Sequence, residues 1–177
     1  MSSFSIGDRV EVIGDIARYY RSTVGIVTAV EQSVTSLFNK FTLRLADGTI
    51  GRFLPFQIHI PPATTARLVF DNADSWQPAG VRGAAQARHL RFTAAQFDIH
   101  LKILASDASK AIVGQIFRAQ SEWIEPALVT LLVEGKSQQT TATDAIGEFK
   151  LDGIPSGEIQ LEIFVAAHRI LASLRDN

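Results

Sequence analysis

The sequence predicts an all-β chain, a small barrel followed by a Greek-key sandwich, and three observations carry that prediction. Short runs of alternating apolar and polar residues recur along its 177 residues. The stretch from Thr143 to Gly157 reads as a tight turn, a short strand and a second tight turn. Between the two sets of strands lies a break, residues 71–88, that is rich in Gly, Pro and Ala and has no period. The expected division is therefore a barrel over 1–70, an ordered linker over 71–88 and a sandwich over 89–177.

In the first segment Val10 and Val12 share a face opposite Arg9 and Glu11, and Val24 to Val30 forms a second strand. Gly25 inside that strand marks a bulge or a close backbone approach. Phe41, Leu43 and Leu45 alternate with Thr42 and Arg44, a half-buried strand. Asp47-Gly48 supplies a two-residue hairpin turn in which both positions take positive φ. Thr49 to Leu54 returns antiparallel, Pro55 ends that strand or places a bulge, and Phe56 to Ile60 is a last strand before Pro61-Pro62. Five short strands suit a small barrel, which closes its own edges. Trp76 in the linker is expected to dock on one of the two units, because burying an indole recovers a few kcal/mol.

The second segment alternates again at Phe97, Ile99, Leu101 and Ile103. Ile112 to Phe117 follows, and Leu128 to Val133 is continuously apolar, as a central strand would be. Asp144 is placed to accept backbone N–H groups ahead of it, and Gly147 to take positive φ. Phe149 and Leu151 then face one way, with Glu148, Lys150 and Asp152 facing the other. Pro155 suits the second position of a type I turn with Gly157 fourth. Ile159, Leu161, Ile163 and Val165 alternate after it, and Ile170 to Leu174 closes the chain as a final strand. About seven strands at this turn spacing indicate a Greek-key sandwich.

Two resemblances rest on these residues. Gly7-Asp8-Arg9-Val10, Val24-Gly25-Ile26-Val27 and Leu45-Ala46-Asp47-Gly48 resemble SH3-like barrels of the KOW type over residues 5–60. Members of that group bind RNA or proteins in translation and transcription, or accompany enzymes as accessory domains. Val113-Gly114-Gln115-Ile116, Val129 to Leu132, Thr143-Asp144 with Gly147-Glu148-Phe149, and Gly153 to Gly157 with Leu161 resemble carboxypeptidase regulatory-like (transthyretin-like) domains over residues 97–175. That resemblance implies a non-catalytic folding partner, spacer or binding module, often extracellular. The stretch from Arg88 to Leu101 resembles the lead-in of bacterial cytoplasmic versions, some of which accompany regulatory and signalling proteins.

Composition narrows the function classes. Formal net charge is −1. Residues 1–72 carry seven basic and six acidic side chains (+1), and residues 73–177 carry ten and twelve (−2), so neither half is basic enough for a general polyanion binder. Cysteine is absent, which excludes disulfides, thiolate metal sites and cysteine nucleophiles. The first residues lack a basic start and an apolar core, so no signal peptide is expected. No apolar run approaches the roughly 20 residues that span a bilayer. A cytoplasmic location is expected, with no membrane contact.

Candidate chemistry is sparse. His59, His89, His100 and His168 lack partners at metal-ligand spacing, and His100 reads as solvated. Ser156 lies in Pro-Ser-Gly, which a turn already explains, and no Gly-x-Ser-x-Gly occurs. No phosphate-cradling glycine loop is present. Glu122 and Glu125 bracket Trp123 and read as solvated acids beside a rim anchor. No enzyme activity, cofactor, metal or small-molecule substrate is expected. The candidate partner-binding residues are Arg18, Tyr19, Tyr20 and Arg21, in the long first loop of the barrel. Tyr and Arg are enriched in interface hot spots, and they can also stack on bases and pair with phosphates. The competing reading packs one tyrosine on the barrel and leaves the arginines solvated. Leu104, Ile124 and Phe164 fall where polar residues belong, and suit a contact between domains or subunits. The expected function is a non-catalytic adaptor or accessory subunit of a cytoplasmic bacterial complex with a protein partner, possessing a regulatory or signalling character. The alternative is an RNA- or ribosome-associated module using the barrel.

Overall fold

The structure, a computed structural model, describes residues 4–32, 38–72, 87–105, 110–119 and 124–174. Among these the regular structure is all β apart from two short 3₁₀ turns, Asp15–Tyr19 and Pro55–Gln57. The strands form three five-stranded sheets.

The first sheet holds β1 (Arg9–Val12), β2 (Val24–Glu31), β3 (Lys40–Leu45), β4 (Ile50–Phe53) and β5 (Ile58–His59) in the order β4-β3-β2-β1-β5. Every neighbouring pair is antiparallel. Alternation puts Val10, Val12, Val27, Phe41, Leu43, Leu45, Phe53 and Ile58 into one core, closed by Phe4 edge-on to Phe41. Gly25 is a close approach: a Cβ there would lie 2.8 Å from Leu45 Cδ2 and 2.9 Å from the Arg44 carbonyl. The bulge in this strand sits beyond it, between Val27 and Ala29.

Two local expectations are corrected. Only Gly48 takes positive φ in the β3–β4 hairpin; Asp47 does not. Gly48 N–H donates to Leu45 O and Leu45 N–H to Thr49 O, so the loop has three residues with glycine in the left-handed position. Phe56 is not in a strand. Pro55 opens a 3₁₀ turn whose entry is held by Leu54 N–H donating to Gln57 Oε1 at 2.8 Å, and strand geometry resumes only at Ile58.

The other two sheets share one core. The strands are β6 (Ala63–Thr65), β7 (Arg67–Asp71), β8 (Ala87–Ala94), β9 (Phe97–Ala105), β10 (Lys110–Arg118), β11 (Leu128–Val133), β12 (Lys136–Ala142), β13 (Glu148–Asp152), β14 (Ile159–Val165) and β15 (His168–Leu174). One sheet runs β13-β10-β9-β8-β7 and the other β12-β11-β14-β15-β6. Phe92, Ile99, Leu101, Ile112, Ile116, Phe149 and Leu151 from the first interlock with Val129, Leu131, Leu161, Ile163, Ile170 and Ala172 from the second. β12 escaped the apolar-periodicity reading because its sequence, Lys-Ser-Gln-Gln-Thr-Thr-Ala, is polar, as an exposed edge strand needs to be.

Strands β6 and β7 fall within the span assigned by sequence to the barrel and the start of the linker, yet they pair with the later sheets. β6 runs parallel to β15, and β7 antiparallel to β8. Ala66 between them is buried, and its N–H donates to Leu171 O. The far end of the expected linker is also strand, since β8 begins at Ala87; residues 73–86, with Trp76, lie outside the described residues.

The turn after Thr143 behaves as its residues dictate. Asp144 Oδ1 accepts from the N–H groups of Ile146 (3.0 Å) and Glu148 (2.8 Å). Gly147 has φ +80, and a Cβ there would lie 2.3 Å from the Ile116 carbonyl, so backbone angle and β10 both require glycine. Thr143 is buried, and its hydroxyl accepts from Ala127 N–H at 2.9 Å. The expected turn at Pro155 is not hydrogen-bonded; residues 156–158 form a bend instead.

The first sheet docks on the outer face of the β14 sheet. Val24, Leu128 and Phe164 form a small buried cluster there, with Ile26 and Ala46 against it. Ser22, also buried, reaches Val24 O and Pro126 O across the same seam. Phe164, expected from sequence to make a domain or subunit contact, thus lies between the first sheet and the sandwich. Ile124 instead joins the sandwich core, and Leu104 is half-buried.

Candidate partner-binding surface

The Arg18–Arg21 segment is split by its geometry. The 3₁₀ turn ends at Tyr19, and the extended backbone of its cap residue Tyr20 carries that side chain inward beside Ile16 and Ala17, while Arg18 and Arg21 stay exposed. Tyr20 packs on the first core, its ring 5.3 Å from that of Phe53. Its hydroxyl reaches over Gly51, where an added Cβ would be 3.1 Å away. Tyr19 is 72% exposed. The Arg18 guanidinium lies 5.0 Å from the Tyr19 ring centre and donates to its hydroxyl at 3.0 Å, which pre-orders both side chains. Tyr20 is therefore a framework residue, and Arg18, Tyr19 and Arg21 are the presented ones.

A second aromatic pair lies near this turn that the sequence reading missed. Phe56 is 61% exposed, and Phe38 meets it edge-to-face at 5.8 Å. The two 3₁₀ turns are tied together where Ile13 N–H, just before the first, donates to the carbonyl of Gln57, which ends the second. The signal available was Pro55: its fixed φ and missing N–H suit the start of a short turn, which takes Phe56 out of the strand alternation.

The remaining candidates scatter. His89 and His100 are exposed on β8 and β9, and the His100 ring meets Phe117 at 4.8 Å. His168 packs edge-on to Phe97 at 5.4 Å. Among the described residues, no three His, Asp or Glu side chains converge as metal ligands would. Ser156 is exposed in its bend. Glu122 and Trp123 lie outside the described residues.

Glu125 departs from the solvated acid that was expected. It is half-buried, and burial raises its carboxyl above the ordinary value of 4.5, with Arg118 opposing. It also acts on Glu11 of the first sheet. Burial raises the Glu11 carboxyl, His59 at 3.7 Å pulls it back, and the negative charge of Glu125 pushes it up again. Beside them, Glu162 is 2% exposed and fully paired: Arg9 Nε meets its Oε2 at 2.5 Å, and Arg169 meets its Oε1 through Nη2 at 2.6 Å and Nε at 2.8 Å. Two cations from different parts of the chain thus close on one buried carboxylate at the docking seam. Sequence gave no sign of this, because a lone Glu in an alternating strand ordinarily faces water.

Comparison with protein-family models, with curated proteins and with solved structures finds no match for this chain.

Proposed function

We propose that this chain is a non-catalytic interaction protein, an accessory or adaptor subunit of a cytoplasmic bacterial complex, with its contact surface on the first sheet. The observation that carries this reading is the exposed aromatic display on two braced turns: Tyr19 under Arg18, and Phe56 against Phe38. Rigid, exposed Tyr and Arg side chains lose little entropy on binding, which is why such residues dominate interface hot spots. An SH3-like barrel is the reading that the strand order β4-β3-β2-β1-β5 supports, with its 3₁₀ turn just before the last strand. A transthyretin-like Greek key is supported by the repeated crossing between sheets, at β10 to β11, β12 to β13 and β13 to β14.

The test separates display from framework. Tyr19→Ala, alone and with Phe56→Ala, is expected to strip specific partners from affinity purifications in the native host while the thermal midpoint stays within experimental error. Tyr20→Ala is expected to cost about 2 kcal/mol of stability, because it removes a ring from the core boundary. Partner sets identical for wild type and the Tyr19→Ala/Phe56→Ala protein would reject the surface. Capture of RNA instead, with affinity falling steeply as salt rises, would favour the RNA-associated alternative.

A further inference from the structure

The outer face of the β13-β10-β9-β8-β7 sheet carries an ordered row of side chains. Phe70 stands opposite Arg91, Arg91 opposite His100, and His100 opposite Gln115, one on each of four adjacent strands. A bulge between Leu68 and Phe70 turns Phe70 to this outer side, whereas Leu68 faces the inward-pointing Phe92. An open cavity of about 530 Å³ lies along the row, walled by Val69 and Phe70 and lined by His89, Arg91 and His100. That is within the roughly 300–1,000 Å³ of small-ligand sites.

The groove has two chemistries side by side. Its apolar wall is unusually bare, with Phe70 53% and Val69 41% exposed. Its floor is cationic. Arg91 meets Asp98 at 3.2 Å, and the Arg91 side chain is itself 48% exposed, so the guanidinium keeps donors for a ligand. Lys102 stands opposite His89 in the next row, outside the lining of the groove. Burial, then Arg91, holds the His100 imidazole below its ordinary value of 6.5, with Asp98 opposing. That shift favours the neutral imidazole, which has one N–H donor and one acceptor. The edge of Phe117 fixes its ring. An aromatic wall beside a planar guanidinium fits a flat ring joined to an anion: the ring packs on Phe70, and the anion takes paired N–H donors from Arg91.

We propose that this groove binds a planar ring bearing a phosphate, a ligand the size of a single nucleotide. The site is separate from the Tyr19 surface and does not depend on it. The probe is adenosine 5′-monophosphate, titrated calorimetrically into the full chain at low salt. Saturable one-to-one binding is expected. Adenosine, which lacks the anion, and inorganic phosphate, which lacks the ring, should each bind at least tenfold more weakly. Arg91→Gln and Phe70→Ala should each weaken the nucleotide at least tenfold with the thermal midpoint unchanged, since both side chains are exposed. A measurement on the unaltered protein guards against damaged variants: the His100 imidazole resonances should shift with the titration, and those of His59 should stay fixed. Absence of saturable binding, equal affinity for adenosine or inorganic phosphate, or shifts that bypass His100 would each overturn the proposal.

Discussion

The two sandwich sheets share a core and a strand count, but their outer faces are opposites. Where the first sheet docks, the outward residues of β14 are Glu162 and Phe164, 2% and 1% exposed. On the other sheet the outward residues Arg91 and His100 are exposed, with Phe70 beside them. The difference shows what alternation encodes. It assigns each side chain to a face, but it does not say whether the second face is wet. A polar group on a covered face must bring partners with it, and Glu162 has Arg9 and Arg169.

Removing the covered carboxylate should break this contrast most. Glu162→Ala leaves two partly buried guanidinium groups without their shared carboxylate and is expected to cost about 3 kcal/mol in urea unfolding. Its open-face counterpart, Gln115→Ala, should stay within about 0.5 kcal/mol. Similar costs at both positions would mean that the seam is solvated.

The acids of the seam sharpen the comparison through pH. Burial holds the Glu11 and Glu125 carboxyls above 4.5, so the folded chain binds their protons more tightly than the unfolded chain does. Their unfavourable contribution is complete above the folded pKa values and is relieved as pH falls through those values toward 4.5. Glu11→Gln is therefore expected to raise the urea midpoint at pH 7 and to flatten its rise on acidification. Exposed Glu148→Gln on the other sheet serves as the control. A Glu11→Gln protein less stable than wild type at pH 7 would show that attraction to His59 outweighs burial.

The smallest expected effect ignores the contrast altogether. Ala95 and Ala166, at hairpins of the open and covered sheets, hold φ of +50 and +44. Left-handed geometry costs a non-glycine residue about 1–2 kcal/mol, and glycine returns part of that as unfolded-state entropy. Each Ala→Gly change should stabilise by about 0.5–1 kcal/mol in thermal melts, equally on both sheets.

Much of the fold was legible because its determinants are local. Alternation placed β3 and β14, and Asp144 with Gly147 announced a turn that the hydrogen bonds bear out. What escaped depends on distant partners. β6 and β7 are too short to declare themselves, and Pro61-Pro62 reads as the end of a unit. They are strands because β15 and β8 offer free edges. Within the candidate surface, the sequence allowed for one tyrosine packing on the barrel but did not say which, and it is Tyr20 that turns inward and Tyr19 outward. The switch from 3₁₀ to extended backbone between Tyr19 and Tyr20 decides that, and so short an element shows no period in the sequence. The groove row was invisible for a similar reason: Phe70 reaches the outer face only because a bulge shifts the parity of β7.

The parallel pairing of β6 with β15 has a consequence for how the chain is made. Ala63 aligns with Arg169 and Thr65 with Leu171, so this edge joins residues more than a hundred positions apart. Contacts of such separation form late and slowly. During synthesis the first sheet can assemble from residues already outside the ribosome, but β6 must wait for the β14–β15 hairpin to emerge. Until then it is an unpaired ribbon, open to capture by a neighbouring nascent chain.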